Sequence, residues 1–152
     1  PSLEGSCHCG AVRLTIPFVP DKATSCNCSL CQRVAGLWAY FEIGTVVVEG
    51  DPEHTTDYIW GDKTLRTIRC KACGVVTHWL PLAPEPGARH GVNLGNFDPK
   101  LIASVRVRRF DGADTWQRAD AQVLAARFEN LREGAPATAL IKASHVVLGV
   151  PA

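Results

Sequence analysis

The chain has 152 residues, 20% of them charged and 46% hydrophobic, with a formal net charge of +1. This composition fits one globular domain with a single core rather than a disordered or membrane chain. The near-zero charge argues against nucleic-acid or membrane partners, and no apolar run approaches the ~20 residues of a membrane span. The N-terminal residues carry no signal-peptide pattern, so a cytoplasmic location with reduced cysteines is expected.

Read in chain order, most segments are strands separated by turns. AVRLTI (11–16) alternates after Gly10 and stops at Pro17 and Pro20. A short helix is possible at 29–35. LWAYFEI (37–43) and TVVVEG (45–50) are β-branched and aromatic runs divided by Gly44. DYIW (57–60) meets a polar GDKT turn, then LRTIRC (65–70) and VVTHWL (75–80) flank a cysteine pair. The Pro- and Gly-rich loop PLAPEPGARHG (81–91) precedes VNLGNF and the longest strand candidate, LIASVRVRRF (101–110). There Arg106, Arg108 and Arg109 alternate with Val105 and Val107, which reads as the wet face of a half-buried strand. Asp111 and Gly112 close it with a turn. The tail differs: ADAQVLAARFENLREG (119–134) predicts a helix carrying Val123, Leu124, Phe128 and Leu131, and ALIKASHVVLGV (139–150) one more strand. The fold class is therefore mainly β with one C-terminal helix.

Seven cysteines in a chain expected to stay reduced call for an explanation other than disulfides. They lie at short spacings: Cys7 with Cys9, Cys26 with Cys28 and Cys31, Cys70 with Cys73. Zinc held by sulfur needs neighbouring thiolates close together, which tight turns between nearby cysteines supply. Two divisions are chemically sensible. Cys28, Cys31, Cys70 and Cys73 can make a zinc ribbon, although the gap between the pairs is long for one. Alternatively, Cys7, Cys9, Cys70 and Cys73 make a closed four-thiolate site and CNCSLC keeps three. Four thiolates saturate zinc and make the site structural, whereas three leave a position for substrate. The spacing favours the second division without deciding it.

GSCHCGAVRL (5–14), CNCSLCQR (26–33), CKACGVVTHW (70–79) and GVNLGNFD (91–98) stand in the order seen in the glutathione-dependent formaldehyde-activating enzymes. The chain resembles this family, also called the CENP-V/GFA domain family, over about residues 4–116. The resemblance implies an Mss4-like zinc-binding fold of small antiparallel sheets. It implies a structural zinc on Cys7, Cys9, Cys70 and Cys73 and a catalytic zinc on Cys26, Cys28 and Cys31. It also implies a carbon–sulfur lyase that, in reverse, joins formaldehyde to glutathione as S-(hydroxymethyl)glutathione. Residues 117–152 then form an extension packed on the same domain, with no counterpart in the family and a surface available for self-association. Trp79, Leu80 and Pro81 stand where many relatives have more basic residues, which bears on glutathione because its two carboxylates favour cationic contacts.

Other residues have candidate roles beside ordinary ones. His8, His54, His78, His90 or His145 would close the CNCSLC site if it were structural. His78 is a candidate proton shuttle, though a lone histidine is more often a surface or core residue. Asn93 and Asn96 can hydrogen-bond a substrate amide, but they suit turns equally, as does Asp98. Trp38, Tyr40, Trp60 and Trp79 can wall a pocket, although core packing is the commoner role. Lys63 and Arg66 can grip a carboxylate or simply line a solvated turn. The function expected is zinc-dependent carbon–sulfur lyase chemistry on a thiol–aldehyde adduct. The alternative is a non-catalytic, zinc-stabilised protein-interaction module.

Overall fold

The computed structural model describes residues 1–118 with their side chains and, beyond them, the backbone of two strands, Thr138–Lys142 and His145–Val150. The chain divides into two compact units, Pro1–Arg118 and Ala119–Ala152. The first unit is mainly β. Its elements in order are β1 (Leu3–Ser6), β2 (Arg13–Ile16), β3 (Lys22–Cys26), α1 (Ser29–Val34), β4 (Leu37–Glu42), β5 (Val47–Glu49), β6 (Thr55–Ile59), β7 (Leu65–Cys70), β8 (Val76–Pro81), β9 (Arg89–Asn93), a 3-10 turn (Leu94–Asn96), β10 (Arg106–Asp111) and β11 (Gln117–Arg118). In the second unit β12 (Thr138–Lys142) and β13 (His145–Val150) pair antiparallel. The single strand expected over 139–150 is thus two, while the helix expected over 119–134 lies outside the described residues.

Strands β1, β2 and β5 form a small antiparallel sheet, and the rest form an eight-stranded sheet in the order β11-β10-β3-β4-β9-β8-β7-β6. One pairing departs from the antiparallel rule: β10 runs parallel to β3, with Arg108 opposite Thr24 and Phe110 opposite Cys26. The core lies between the sheets. Leu3, Leu14 and Ile16 from the small sheet meet Ala23, Ala39, Phe41 and Val92 from the large one. Side chains alternate across a strand, so the residues between these core positions must face the other way. Lys22, Thr24 and Cys26 of β3, Trp38, Tyr40 and Glu42 of β4, and Arg89, Gly91 and Asn93 of β9 therefore share the outer face.

The sequence misses β1, β3, β9 and β11, whose residues lack a clean apolar alternation. It overextends β10. Asp98 and Pro99 start a run of turns instead, with the Asp98 carboxylate accepting from the Lys100 N–H at 2.8 Å and Val105 N–H donating to the Ile102 carbonyl at 3.0 Å. The wet-face reading of β10 holds at Arg106 and Arg109, which are exposed, and at Val105, which packs on the core, but fails at Val107 and Arg108. Val107 is 53% exposed, while Arg108 is half-buried and its Nε donates to Thr24 Oγ1 at 2.7 Å. An arginine stem covers apolar surface well when its head finds acceptors, and that outweighs alternation by hydrophobicity.

His78 and His90 sit on the inner face, opposite Val92 and Phe41 respectively, with their rings 5.0 Å apart. Both are buried, and neither Nε2 meets a hydrogen-bond partner among the described residues. Burial and the neighbouring His90 ring hold His78 at about 4, and burial holds His90 at about 4 as well. A histidine depressed in the folded state stays neutral where the unfolded chain takes up a proton. Stability is therefore full above about pH 6.5 and falls as pH drops from there towards 4, with a slope of up to ~1.4 kcal/mol per pH unit for each ring. Chemical unfolding of the native chain and of H90Q, at pH 7 and pH 5 with excess zinc, should show a smaller pH-induced loss of midpoint in the variant.

Candidate metal centres

The first cluster is made by two similar turns. In CHCG, Gly10 N–H donates to the Cys7 carbonyl at 3.0 Å, and in CKACG, Gly74 N–H donates to the Cys70 carbonyl at 3.0 Å. Both glycines have left-handed backbones, φ 79° and 74°, which other residues adopt only with strain. Each turn leads back into a strand: Cys7 N–H donates to the Val12 carbonyl and Cys70 N–H to the Val75 carbonyl. Cys9 Sγ lies 3.6 Å from both Cys7 Sγ and Cys70 Sγ. Cys7 and Cys70 are buried against Val12, with Val48 and Val75 beside them.

The second cluster is built on CNCSLC. Cys26 ends β3, Cys28 caps α1 and Cys31 lies one turn into it. Each sulfur accepts one hydrogen bond. Cys28 N–H donates to Cys26 Sγ at 3.4 Å, Cys31 N–H to Cys28 Sγ at 3.4 Å, and the Trp38 indole N–H to Cys31 Sγ at 3.2 Å. Asn27, between the first two cysteines, is fixed from the far end of β10. Its amide donates to Asp111 Oδ1 at 2.8 Å and its carbonyl accepts from Ala113 N–H at 3.0 Å. Asp111 also accepts from the Thr115 hydroxyl at 2.9 Å, and the Asn27 amide and Thr115 groups hold its carboxyl below the usual range. A methyl at Gly112 would stand 2.6 Å from Cys26 Sγ, and one at Gly36 would stand 2.6 Å from the Trp38 ring. Both glycines are therefore required by close approach.

The ligand atoms of Cys7, Cys9, Cys70 and Cys73 lie within 4.8 Å of one another, and so do those of Cys26, Cys28 and Cys31. These sulfur sets fit zinc. A tetrahedral ion about 2.3 Å from each sulfur places the sulfurs about 3.8 Å apart, close to the spacing of the first cluster. The two sets differ in how they are presented. In the first set Cys7 and Cys70 are buried, Cys73 is half-buried and Cys9 is exposed, whereas Cys26, Cys28 and Cys31 are all half-buried. Their acidities differ as well. Val75 and Cys9 backbone N–H groups bring Cys73 down to about 6. Burial pushes Cys26 and Cys31 up; it acts the same way on Cys28, where the Cys31 N–H and neighbouring thiols outweigh it and lower the thiol.

Among the described residues no histidine joins either cluster. The side chain of His145 lies outside those residues. His78, expected as a possible shuttle, is instead fully buried in the core with Nδ1 2.9 Å from Thr77 Oγ1. Asn93 is engaged by the backbone: its Oδ1 accepts from Leu37 and Gly95 N–H groups, and its amide donates to the Val76 carbonyl. Asn96 donates to the Val76 and Asn93 carbonyls. Lys63 is exposed, and Arg66 makes only a surface pair with Asp57 at 4.0 Å. The sequence reading passed over Asn27, Asp111 and Gly112 as site supports. Their one signal was an amide inside the cysteine motif and an Asp-Gly turn far along the chain.

The fold and the two sulfur sets define a class: a mainly β protein with cysteine clusters suited to two metal ions. The chain belongs to the glutathione-dependent formaldehyde-activating enzyme family, whose model matches residues 2–110. It is 44% identical over 62 residues to a Halomonas elongata protein named "Putative glutathione-dependent formaldehyde-activating enzyme". That match spans 37% of this chain and 39% of the relative's length. A crystal structure of a Rhodobacter sphaeroides protein superposes with a TM-score of 0.57 at 28% identity, covering 69% of this chain and 99% of that one.

Because Gly112 borders Cys26 Sγ so closely, Gly112→Ala should lower zinc affinity at the second cluster by about 10- to 100-fold. Competition with a chromophoric chelator should show one weakened equivalent of zinc and one unchanged.

Proposed function

We propose that the CNCSLC cluster is an open metal centre at which a thiol adds reversibly to an aldehyde, as glutathione does to formaldehyde. In this reading Cys7, Cys9, Cys70 and Cys73 hold a structural zinc and Cys26, Cys28 and Cys31 a catalytic one. The observation that carries it is the contrast in donor number: four clustered sulfurs, enough to close a tetrahedral site, beside a separate set of three, one short of closing one. The family match supports the same reading.

Cys26, Cys28 and Cys31 would hold a zinc ion that, when bound, would supply the charge keeping a substrate thiol ionised, and three anionic ligands would make it a weak activator of water. The protein's own groups set the geometry. The Trp38 indole N–H and the backbone N–H groups of Cys28 and Cys31 each occupy a lone pair on a cysteine sulfur. That reduces the basicity of these sulfurs and leaves the incoming thiolate as the stronger nucleophile. Its sulfur attacks the aldehyde carbon, the C–S bond forms as the C=O π bond opens, and the proton given up by the thiol returns to the oxygen through solvent. The reverse direction is the lyase reaction. No side-chain base stands in the cluster among the described residues, which suits a proton exchanged with water.

A second reading, a zinc-stabilised interaction module, draws on the exposed apolar side chains Tyr58, Ile59, Trp60, Leu65 and Leu82. Thiol uptake separates the two. In cobalt-substituted protein, added thiol should change the visible spectrum of one cobalt and leave the other unchanged; no change with any thiol sinks the enzymatic reading. C28S should lose at least about 100-fold in C–S bond formation while keeping its fold. C70S should lose zinc and unfold cooperatively at markedly lower temperature, by circular dichroism.

A further inference from the structure

Beyond Gly112 the chain turns back on itself beside the second cluster. Phe110 is opposite Cys26 in the parallel register, and residues so paired point to the same face of a sheet. A methyl built at Gly112 would stand 2.6 Å from Cys26 Sγ and 3.5 Å from the Phe110 ring, so the ring edge lies within about 6 Å of that sulfur. β11 then runs back along β10, with Asp111 opposite Gln117. Trp116 comes just before that pair, and its N–H donates to the Asp111 carbonyl at 2.8 Å. Its ring meets Phe110 edge-on, with centroids 6.0 Å apart and planes at 83°. Phe110 and Trp116 thus make an aromatic corner on the Cys26 side of the cluster, while the Trp38 indole stands on the Cys31 side.

Two features of Trp116 are not explained by folding. Its backbone lies at φ 57°, a left-handed conformation that a bulky residue rarely adopts. Its side chain is nevertheless 72% exposed, the most exposed large apolar side chain among the described residues. The turn that imposes this conformation is well held. The Asp111 carboxylate accepts from the Thr115 N–H, the Thr115 hydroxyl and the Asn27 amide, and Asn27 Oδ1 accepts from Ala113 N–H. The loop is therefore tied to the cysteine motif itself, and what it presents beside that motif is an uncovered indole. Backbone strain and an aromatic face left in water both act against the folded chain, and apolar surface of a bound molecule laid on the ring offsets them.

We propose that Phe110 and Trp116 form the specificity wall of the CNCSLC centre: a thiol whose sulfur sits at Cys26, Cys28 and Cys31 lays an apolar or aromatic substituent against the Trp116 ring. The inference rests on the thiol-exchange reading of that cluster. An aryl group two carbons from a thiol sulfur reaches about 5 Å, which brings it from the cluster to the aromatic corner. The substrate class assigned is a thiol with an apolar group a few bonds from its sulfur, and Trp116 is the residue that selects it.

The test is titration of cobalt-loaded protein with 2-phenylethanethiol and with 2-mercaptoethanol, thiols of similar acidity, following the visible spectrum. The aryl thiol should titrate at a concentration roughly tenfold lower. W116A should raise its midpoint by about tenfold and W116F by less, while both leave the 2-mercaptoethanol midpoint and the end-point spectrum unchanged. Trp116 is exposed, so neither substitution removes core packing. A merely structural residue would shift both thiols together, and that result overturns the inference. Equal midpoints in the native protein, or no effect of W116A, overturns it as well. If no thiol shifts the spectrum, the thiol-exchange reading is what fails. Saturation-transfer NMR of 2-phenylethanol with zinc-loaded protein then decides the wall alone. A signal abolished in W116A upholds it, and a signal absent from the native protein or unchanged in the variant overturns it.

Discussion

The sulfurs of Cys7, Cys9, Cys70 and Cys73 converge from two sheets to within 4.8 Å of one another, and held together as thiolates they would need a cation among them. The Cys7–Gly10 turn joins β1 to β2 in the small sheet, while the Cys70–Gly74 turn joins β7 to β8 in the large one. Bringing the two turns together therefore fixes one sheet on the other near Val12, at the edge of the apolar core. A chain this short has limited surface to bury, and a metal cross-link between residues more than sixty apart would offset part of the chain entropy that a small core leaves uncovered. The apolar contacts of Leu14, Ile16, Ala39 and Phe41 then stabilise an arrangement whose register the sulfurs already restrict.

Once the small sheet covers the inner face, the outer face is left to chemistry by alternation alone. Cys26, Thr24 and Lys22 emerge on it from β3, and Trp38, Tyr40 and Glu42 from β4. The parallel neighbour β10 contributes Phe110 beside Cys26 and Arg108 beside Thr24. One strand pairing thus sets both the cysteine end and the cationic end of the surface. The same β10 ends in Asp111, whose carboxylate holds Asn27 inside the cysteine motif. A shift of β10 by one residue would disturb the sulfur cluster and the arginine together, because both depend on the same backbone ladder.

Much of this was legible in the sequence where chemistry is local. The spacings C-x-C, C-x-C-x-x-C and C-x-x-C specify tight turns, and the runs 37–43 and 65–70 read directly as strands, the first from its aromatic residues and the second from its alternation. What was not legible depends on neighbours distant in the chain. Strand β9, RHGVN, has almost no apolar pattern; it is a strand because Phe41 and Trp38 lie opposite His90 and Asn93 and complete its ladder. Arg108 looked solvated because arginine usually is, and only the pairing with Thr24 and the nearness of Tyr40 turn it inward. His78 looked chemically available because it follows a cysteine pair. The strand's alternation sends it to the core and sends Trp79 to the opposite face, across from Gly91.

The two glycines beside the second cluster show how tightly the sulfur set and its surroundings are coupled. Gly112 lets the β10 turn approach Cys26, and Gly36 lets the Trp38 indole lie flat enough for its N–H to reach Cys31. Each position would otherwise carry a methyl inside van der Waals contact. Gly91 does the same for the Trp79 ring further along the face. The small residues thus open the surface that the aromatic residues line. Their cost in backbone entropy is accepted where a sulfur or an indole must be approached closely, and the left-handed glycines that shape the four-sulfur clamp serve a different purpose, fixing turns. The distinction separates the two centres physically: one is defined by how its backbone turns, the other by what is kept out of its way.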